Sequence, residues 1–110
     1  MAVRNVSGDW MAHQSNGFTA RFSIVQNGGD LTGSANHGPD QDGHFTRSME
    51  ARGTVTDTEF LWTISWDNGT RGRYSGRFES DGRIAGVSVD LEHPTSQATW
   101  ISDRSFGMSG

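Results

Sequence analysis

The 110-residue chain has no cysteine and no lysine, only two prolines, and no long apolar run. The missing cysteines exclude a disulfide framework and a thiol nucleophile. No window approaches the roughly 18 apolar residues that a membrane-spanning helix needs, and the first residues lack the apolar core of a secretion signal. We therefore expect a soluble protein with no membrane partner, in the cytoplasm rather than secreted.

Positive charge is also scarce, because nine arginines stand against 13 acidic residues and the net charge is −4. Proteins that bind nucleic acids usually concentrate positive charge on one face. Arg71, Arg73 and Arg77 share one face of a predicted strand, but a solvated strand face accounts for them better than an anion site. We expect no nucleic-acid partner.

Aliphatic residues are too few to fill a core, since hydrophobic residues of all kinds make up 32% of the chain. Four Trp, six Phe and one Tyr can supply the missing volume, and aromatic side chains favour strands. Fifteen glycines provide turns. The length and composition predict a single domain over residues 1–110 with an aromatic core.

The clearest structural signal is the stretch 60–78. Bulky apolar residues occupy every second position of its first half, namely Phe60, Trp62, Ile64 and Trp66. The turn-forming residues 67–69 follow, and the alternation resumes at Tyr74. This pattern predicts an antiparallel hairpin.

Similar turn signals divide the whole chain into eight short segments. They are residues 6–13, 18–26, 31–36, 47–56, the two halves of 60–78, 83–91 and 97–103. Such regular spacing predicts an all-β fold, an eight-stranded antiparallel up-and-down β-barrel. We expect Met49, Ala51 and Val55 to share one face of the fourth segment, and the tail after Asp103 to be loose.

The inside of such a barrel can hold one small ligand. Small residues at positions that can face inward would leave room for it, namely Ala20, Ala35, Ala51, Gly76, Gly86 and Ser88. The segment 83–91 offers two faces. The apolar face of Ala85, Val87, Val89 and Leu91 makes the better core and puts Asp90 outside, whereas the opposite register points Asp90 into the barrel mouth beside His93, where desolvation raises the pKa of a carboxyl.

Several short motifs occur in the order and spacing of the avidin/streptavidin family, a group of calycin-type barrels with lipocalin-like architecture. They are GDW at 8–10, NGGDLTG at 27–33, WTISW at 62–66, YSGRF at 74–78, DGRI at 81–84 and ATW at 98–100. The chain resembles this family over nearly its whole length. The resemblance implies a closed barrel, a small-molecule ligand and no catalysis.

The resemblance also implies ligand contacts at Trp66 and Tyr74, and a Trp donated between subunits at Trp100. Ser88 stands where the family has another Trp. The polar residues that hold biotin match Ala12, Asn16 and Ala35, with no clear acid in the tail. Losing such hydrogen-bond partners argues against biotin itself.

We predict a ligand site at the barrel end that carries the Asn16 turn, the 37–44 loop and the ends of the strands with Trp66 and Tyr74. The predicted ligand-binding residues are Asn16, His37, Trp66, Tyr74, Ser88, Asp90 and Trp100. Trp62 is expected in the core. Aromatic residues are also enriched at subunit interfaces, which is compatible with a homodimer or homotetramer.

Two alternatives stay open. One is a small β-barrel enzyme, of cyclase, isomerase or hydrolase type, in which Asp90 and His93 perform acid–base chemistry. The other is a lectin-like barrel that binds sugars through Trp faces and Asn/Asp rims. The spacing of His37 and His44 fits no strong metal signature, and no nucleotide or zinc-protease motif occurs, so we expect no metal and no cofactor.

Overall fold

The computed structural model describes residues 3–38 and 42–109. Ten β-strands and no helix occur among these residues. The strands are β1 (Val3–Arg4), β2 (Gly8–Gln14), β3 (Thr19–Asn27), β4 (Asp30–Gly38), β5 (Thr46–Val55), β6 (Glu59–Trp66), β7 (Arg71–Phe78), β8 (Ile84–Asp90), β9 (His93–Ser102) and β10 (Met108–Ser109). Within the described residues, no helix is long and apolar enough to cross a membrane.

Strands β2 to β9 form a closed antiparallel barrel in which each strand pairs with its neighbours in sequence. The barrel closes where β9 pairs with β2 at three positions: Ala12 with Ser102, His13 with Ile101 and Gln14 with Trp100. Within the described residues, closure leaves no barrel strand as a free edge of the sheet. The predicted all-β, eight-stranded up-and-down barrel is therefore confirmed.

Three of the hairpins use one turn design, at residues 14–18, 66–70 and 79–83. In each, the backbone N–H of the first residue donates to the carbonyl of the fifth, at 3.0, 2.8 and 2.7 Å. An Asn or Asp side chain in the middle accepts the N–H of the fifth residue, at 3.1, 3.1 and 2.9 Å. The fourth residue is a glycine with positive φ. These are the turn chemistry and left-handed residue of a hairpin with a bulge.

The core is a cluster of aromatic rings inside the barrel. Trp10 lies 5.0 Å from Phe22 and 5.5 Å from Phe60 between ring centroids, in edge-on arrangements. Trp62 is completely buried and lies 5.9 Å from Phe22. The prediction that Trp62 belongs to the core is confirmed. Rings thus supply the volume that the few aliphatic residues cannot.

The chain ends close one end of this barrel, so the prediction of a loose tail is wrong. Phe106 is buried, and its ring lies 4.9 Å from that of Trp10. The strand β10 pairs with β1, and Arg4 donates from Nη1 to the Phe106 carbonyl at 2.9 Å. The tail has no alternation of apolar and polar residues, so no pattern in the sequence indicated that its one aromatic residue, Phe106, is buried.

The preferred register of the segment 83–91 is also wrong. Ile84 and Ser88 are buried, whereas Val87 is exposed. The turn at 79–83 pairs Phe78 with Ile84 and Tyr74 with Ser88, which turns the even-numbered side chains inward. Turn geometry fixes register even where the other face is more apolar. A Cβ on Gly86 would overlap the Ser75 carbonyl, so glycine suits this inward position, opposite Trp100.

Two further predictions need correction. Met49 is 78% exposed, whereas Ala51 and Val55 are buried as expected. A register shift between Ser48 and Glu50 interrupts the alternation there, and a bulge of this kind re-aims the side chains on one side of it. The eighth segment of the barrel begins earlier than predicted, at His93.

Five large apolar side chains on the described barrel strands are exposed, namely Val25, Met49, Leu61, Val87 and Ile101. Inward placement of Ile84 and Ser88 is what turns Val87 outward. The homodimer or homotetramer stays a prediction.

Candidate ligand-binding site

A cavity of about 290 Å³ lies at the barrel end that carries the turns 14–18 and 66–70. Its wall is formed by Gln14, Asn16, Phe18, His37, Thr46, Trp66, Asn68, Thr70, Arg71, Tyr74, Ser88, Val89, Asp90, Ser96, Gln97 and Ala98. The volume is close to the lower end for ligand sites, roughly 300 Å³. The cavity can hold a small molecule.

One side of the cavity is aromatic. His37, near the end of β4, lies 5.0 Å from the Phe18 ring and 5.7 Å from the Trp66 ring between centroids. Burial lowers the pKa of His37 from its ordinary value, because the charged imidazolium loses water there. This side therefore offers uncharged rings at neutral pH.

The inner side of the cavity is polar and also uncharged. Ser88 donates from Oγ to Gln14 Oε1 at 2.9 Å and lies 3.4 Å from the Ala98 carbonyl. Burial raises the pKa of Tyr74, and an interaction with the Gln14 side chain opposes this shift only in part. Gln14 Nε2 is buried beside Tyr74.

Charged groups lie at the rim of the cavity. Arg71 donates to Glu92 at 2.9 Å. Asp90 accepts the Glu92 N–H at 2.9 Å, and its second oxygen lies 3.3 Å from His93 Nδ1. The Asp90 side chain is 34% exposed and that of His93 71%. Asp90 thus faces the barrel mouth, as expected for the register of β8 that hydrophobicity did not favour. Its side chain is still in contact with water.

The structure brings six of the predicted ligand-binding residues into this wall, namely Asn16, His37, Trp66, Tyr74, Ser88 and Asp90. Trp100 is instead buried in the core of its own barrel, 5.8 Å from Tyr74 and 5.9 Å from Phe60 between ring centroids. A contribution of Trp100 to a second subunit stays a prediction. Residues 39–41 of the predicted loop lie outside the described residues.

Sequence reasoning missed Gln14 and Phe18. Both belong to the turn 14–18, which repeats the design of the turn 66–70. Gln14 is the first residue of the turn 14–18, as Trp66 is of the turn 66–70, and both residues line the cavity. The matching spacing of QSNGF and WDNGT was the signal that could have found them.

Among the described residues, no group of three or more His, Cys, Asp or Glu side chains comes together. The cavity wall consists mainly of amide, hydroxyl and aromatic groups. Such a wall suits recognition by shape and hydrogen bonds.

Two solved structures have a similar fold. The redesigned β-barrel mFAP1, bound to DFHBI, has a TM-score of 0.69 and 15% sequence identity, with 90% of this chain and 94% of that chain covered. EF1p2_mFAP2b, also bound to DFHBI, has a TM-score of 0.64 and 10% identity, with 88% of this chain and 90% of that chain covered. No family model matches the chain, and no curated protein matches it. The chain is a small eight-stranded antiparallel β-barrel similar to these redesigned barrels.

Proposed function

We propose that this chain is a small-molecule-binding β-barrel whose ligand occupies the cavity beside Trp66. The observation that carries the proposal is the cavity itself, about 290 Å³, with rings on one side and hydrogen-bonding groups on the other. Ligand sites in barrels commonly combine apolar walls with a few placed polar groups. Both similar barrels are bound to a ligand, DFHBI, which supports the same use of this fold.

Membership of the avidin/streptavidin family is part of this proposal, but biotin is not the proposed ligand. Ala12 and Ala35, which match polar biotin-binding positions, are buried core residues. They offer no side-chain hydrogen bond. The hydrogen-bonding groups of the cavity come from other positions, chiefly Gln14 and Ser88.

The enzyme and the sugar-binding barrel remain the alternatives. An enzyme would use the Asp90–His93 contact, but the His93 side chain is 71% exposed, so the pair lies in water rather than in an enclosed site. A lectin would use the rim amides, but the Asn16 and Asn68 side-chain oxygens already accept turn N–H groups. These observations favour the small-molecule binder.

The test begins with native mass spectrometry of the protein purified from its own host, which reports a bound compound and the subunit number together. Titrations with DFHBI and with a panel of monosaccharides then follow by calorimetry. We expect a bound compound or binding of DFHBI, and no binding of sugars.

A pair of variants on β9 locates the site. Ala98→Trp places a ring inside the cavity and should abolish binding, whereas Thr99→Trp adds the same ring to the outer face, where Thr99 is exposed. An empty protein that binds no probe contradicts the proposal. So does an Ala98→Trp protein that binds as tightly as Thr99→Trp.

A further inference from the structure

The imidazole of His37 is a part of the cavity wall that a ligand can reach. On β4 it lies between Ala20 of β3 and Thr46 of β5, and its ring is half-buried. The ring lies 5.0 Å from that of Phe18 and 5.7 Å from that of Trp66 between centroids. Among the described residues its two nitrogens have no hydrogen-bond partner, and neither belongs to the buried unpaired atoms. They are therefore open to water, and a ligand that fills the cavity displaces this water.

The titratable groups around His37, in the part of the chain that the structure describes, do not replace that water. They are exposed, lie at the rim of the cavity or, for Tyr74, are uncharged. They are Arg21 on β3, Asp42 and His44 after β4, Arg47 on β5, Asp67 after β6, Arg71 and Tyr74 on β7, and Asp90 on β8. Burial is the cause of the lowered pKa of His37, with no opposing contribution from a carboxylate. A protonated His37 therefore depends on water, because a charge that leaves water without a partner is costly.

We infer that the cavity takes an uncharged aromatic ligand whose ring packs against His37, and that acid releases this ligand by protonating His37. A ligand ring at this place extends the cluster of Phe18 and Trp66, since aromatic rings gain from edge-on and offset contacts. The same ring removes the water on which the imidazolium depends, so the ligand and the proton oppose each other. This inference rests on the proposed function and adds to it the class of ligand and its control by pH.

Acid should weaken binding because the complex holds a proton on His37 less well than the free protein does. Affinity then has its full value above the pKa of His37 in the free protein and falls as the pH falls through that value. Burial places this pKa below the ordinary 6.5. The loss of affinity should therefore occur on the acid side of about pH 6.5.

Three aromatic probes of similar size separate the effect of ligand charge. Benzyl alcohol is uncharged, benzylammonium is a cation and benzenesulfonate is an anion. Dissociation constants are measured by NMR titration at about pH 7.5 and about pH 5, where the spectrum of the protein reports that it stays folded. We expect benzyl alcohol to bind most tightly of the three at about pH 7.5, and about three- to tenfold less tightly at about pH 5.

The protonation of His37 gives an independent measurement of the same coupling. The imidazole C2–H resonance moves as the ring titrates, so the pKa of His37 can be measured in the free protein and in the protein saturated with benzyl alcohol. We expect a lower pKa in the complex, by about one unit for each tenfold loss of affinity in acid.

Two variants assign the pH dependence to His37. His37→Gln is uncharged at both pH values, so its dissociation constant for benzyl alcohol should be the same at both. His13→Gln is the matched control, because His13 is exposed and lies outside the cavity wall. It should keep the pH dependence of the wild type.

The outcomes separate the inference from the proposed function. An affinity of the wild type that does not change with pH, or a His37→Gln protein with the wild-type pH dependence, overturns the control by His37 while the cavity remains a binding site. Tighter binding of either charged probe than of benzyl alcohol at about pH 7.5 overturns the class of ligand. If none of the three probes binds but DFHBI or a co-purified compound does, the inference fails alone. If nothing binds, the proposed function fails with it.

Discussion

His37 is a titratable residue kept neutral by the place where the fold puts it. Its ring lies between those of Phe18 and Trp66 in the cavity wall, and burial lowers its pKa. The unfolded chain has no such burial and binds a proton near pH 6.5. Because the unfolded state binds more protons below that pH, stability should fall as the pH falls through this region.

We therefore expect the free energy of unfolding of the wild type to decrease from about pH 7.5 to about pH 5.5, and His37→Gln to lose less over the same interval. Urea titrations at both pH values measure the difference. His13→Gln is the matched control, because the His13 side chain is exposed and its side-chain contact is the uncharged Thr19 hydroxyl; its pH dependence should follow the wild type. Parallel curves for wild type and His37→Gln would show that burial of His37 does not couple to folding.

At the scale of the element, the repeated hairpin turn explains why β6 and β7 could be predicted from the sequence and why the register of β8 could not. The alternation in 60–66 and the turn at 67–69 were enough to predict β6, β7 and the inward position of Trp66. For β8 the alternation favoured the wrong face, because the turn at 79–83 sets its register through the pairing of Phe78 with Ile84. Reading turn geometry before hydrophobicity would have placed Ser88 inside.

The same physics limits the prediction of β5. A bulge adds one residue to a strand without a distinctive composition, so the residues around Met49 did not indicate the register shift between Ser48 and Glu50. The position of the candidate site at one end of the barrel could be predicted, because many of its residues lie in turns or near strand ends. The pairing of Ser88 with Gln14 could not, because they are far apart in sequence and their contact depends on barrel closure.

The left-handed glycine of the turn 66–70 provides a test at this scale. Gly69 has a φ of 88°, which costs a residue with a Cβ about 1–2 kcal/mol. Gly69→Ala should therefore lower the free energy of unfolding by about that amount in urea denaturation. Gly107→Ala is the control, since Gly107 lies outside the positive-φ set and a Cβ there meets no neighbour. Equal effects of the two substitutions would mean that this turn tolerates a side chain.

At the scale of the whole molecule, the two ends of the barrel have different roles. The end beneath β1 and β10 is sealed by buried rings, including Phe106. The other end keeps a cavity of about 290 Å³. An eight-stranded barrel can be filled by side chains or can hold a small ligand. Here the aromatic core and the tail fill one end, and a cavity remains at the other.

The tail should therefore contribute to stability as a core element does. Phe106 packs on Trp10 at 4.9 Å and on Phe78 at 6.4 Å between centroids, so Phe106→Ala removes a buried ring and should cost about 3–5 kcal/mol. Phe45→Ala, at a residue that is 57% exposed, should change stability by less than about 0.5 kcal/mol. Urea unfolding of both variants measures the difference. The total stability of a small domain is only about 5–15 kcal/mol, so Phe106→Ala should be marginally stable if the tail seals the barrel. If the tail has no structural role, the two variants should have the same stability.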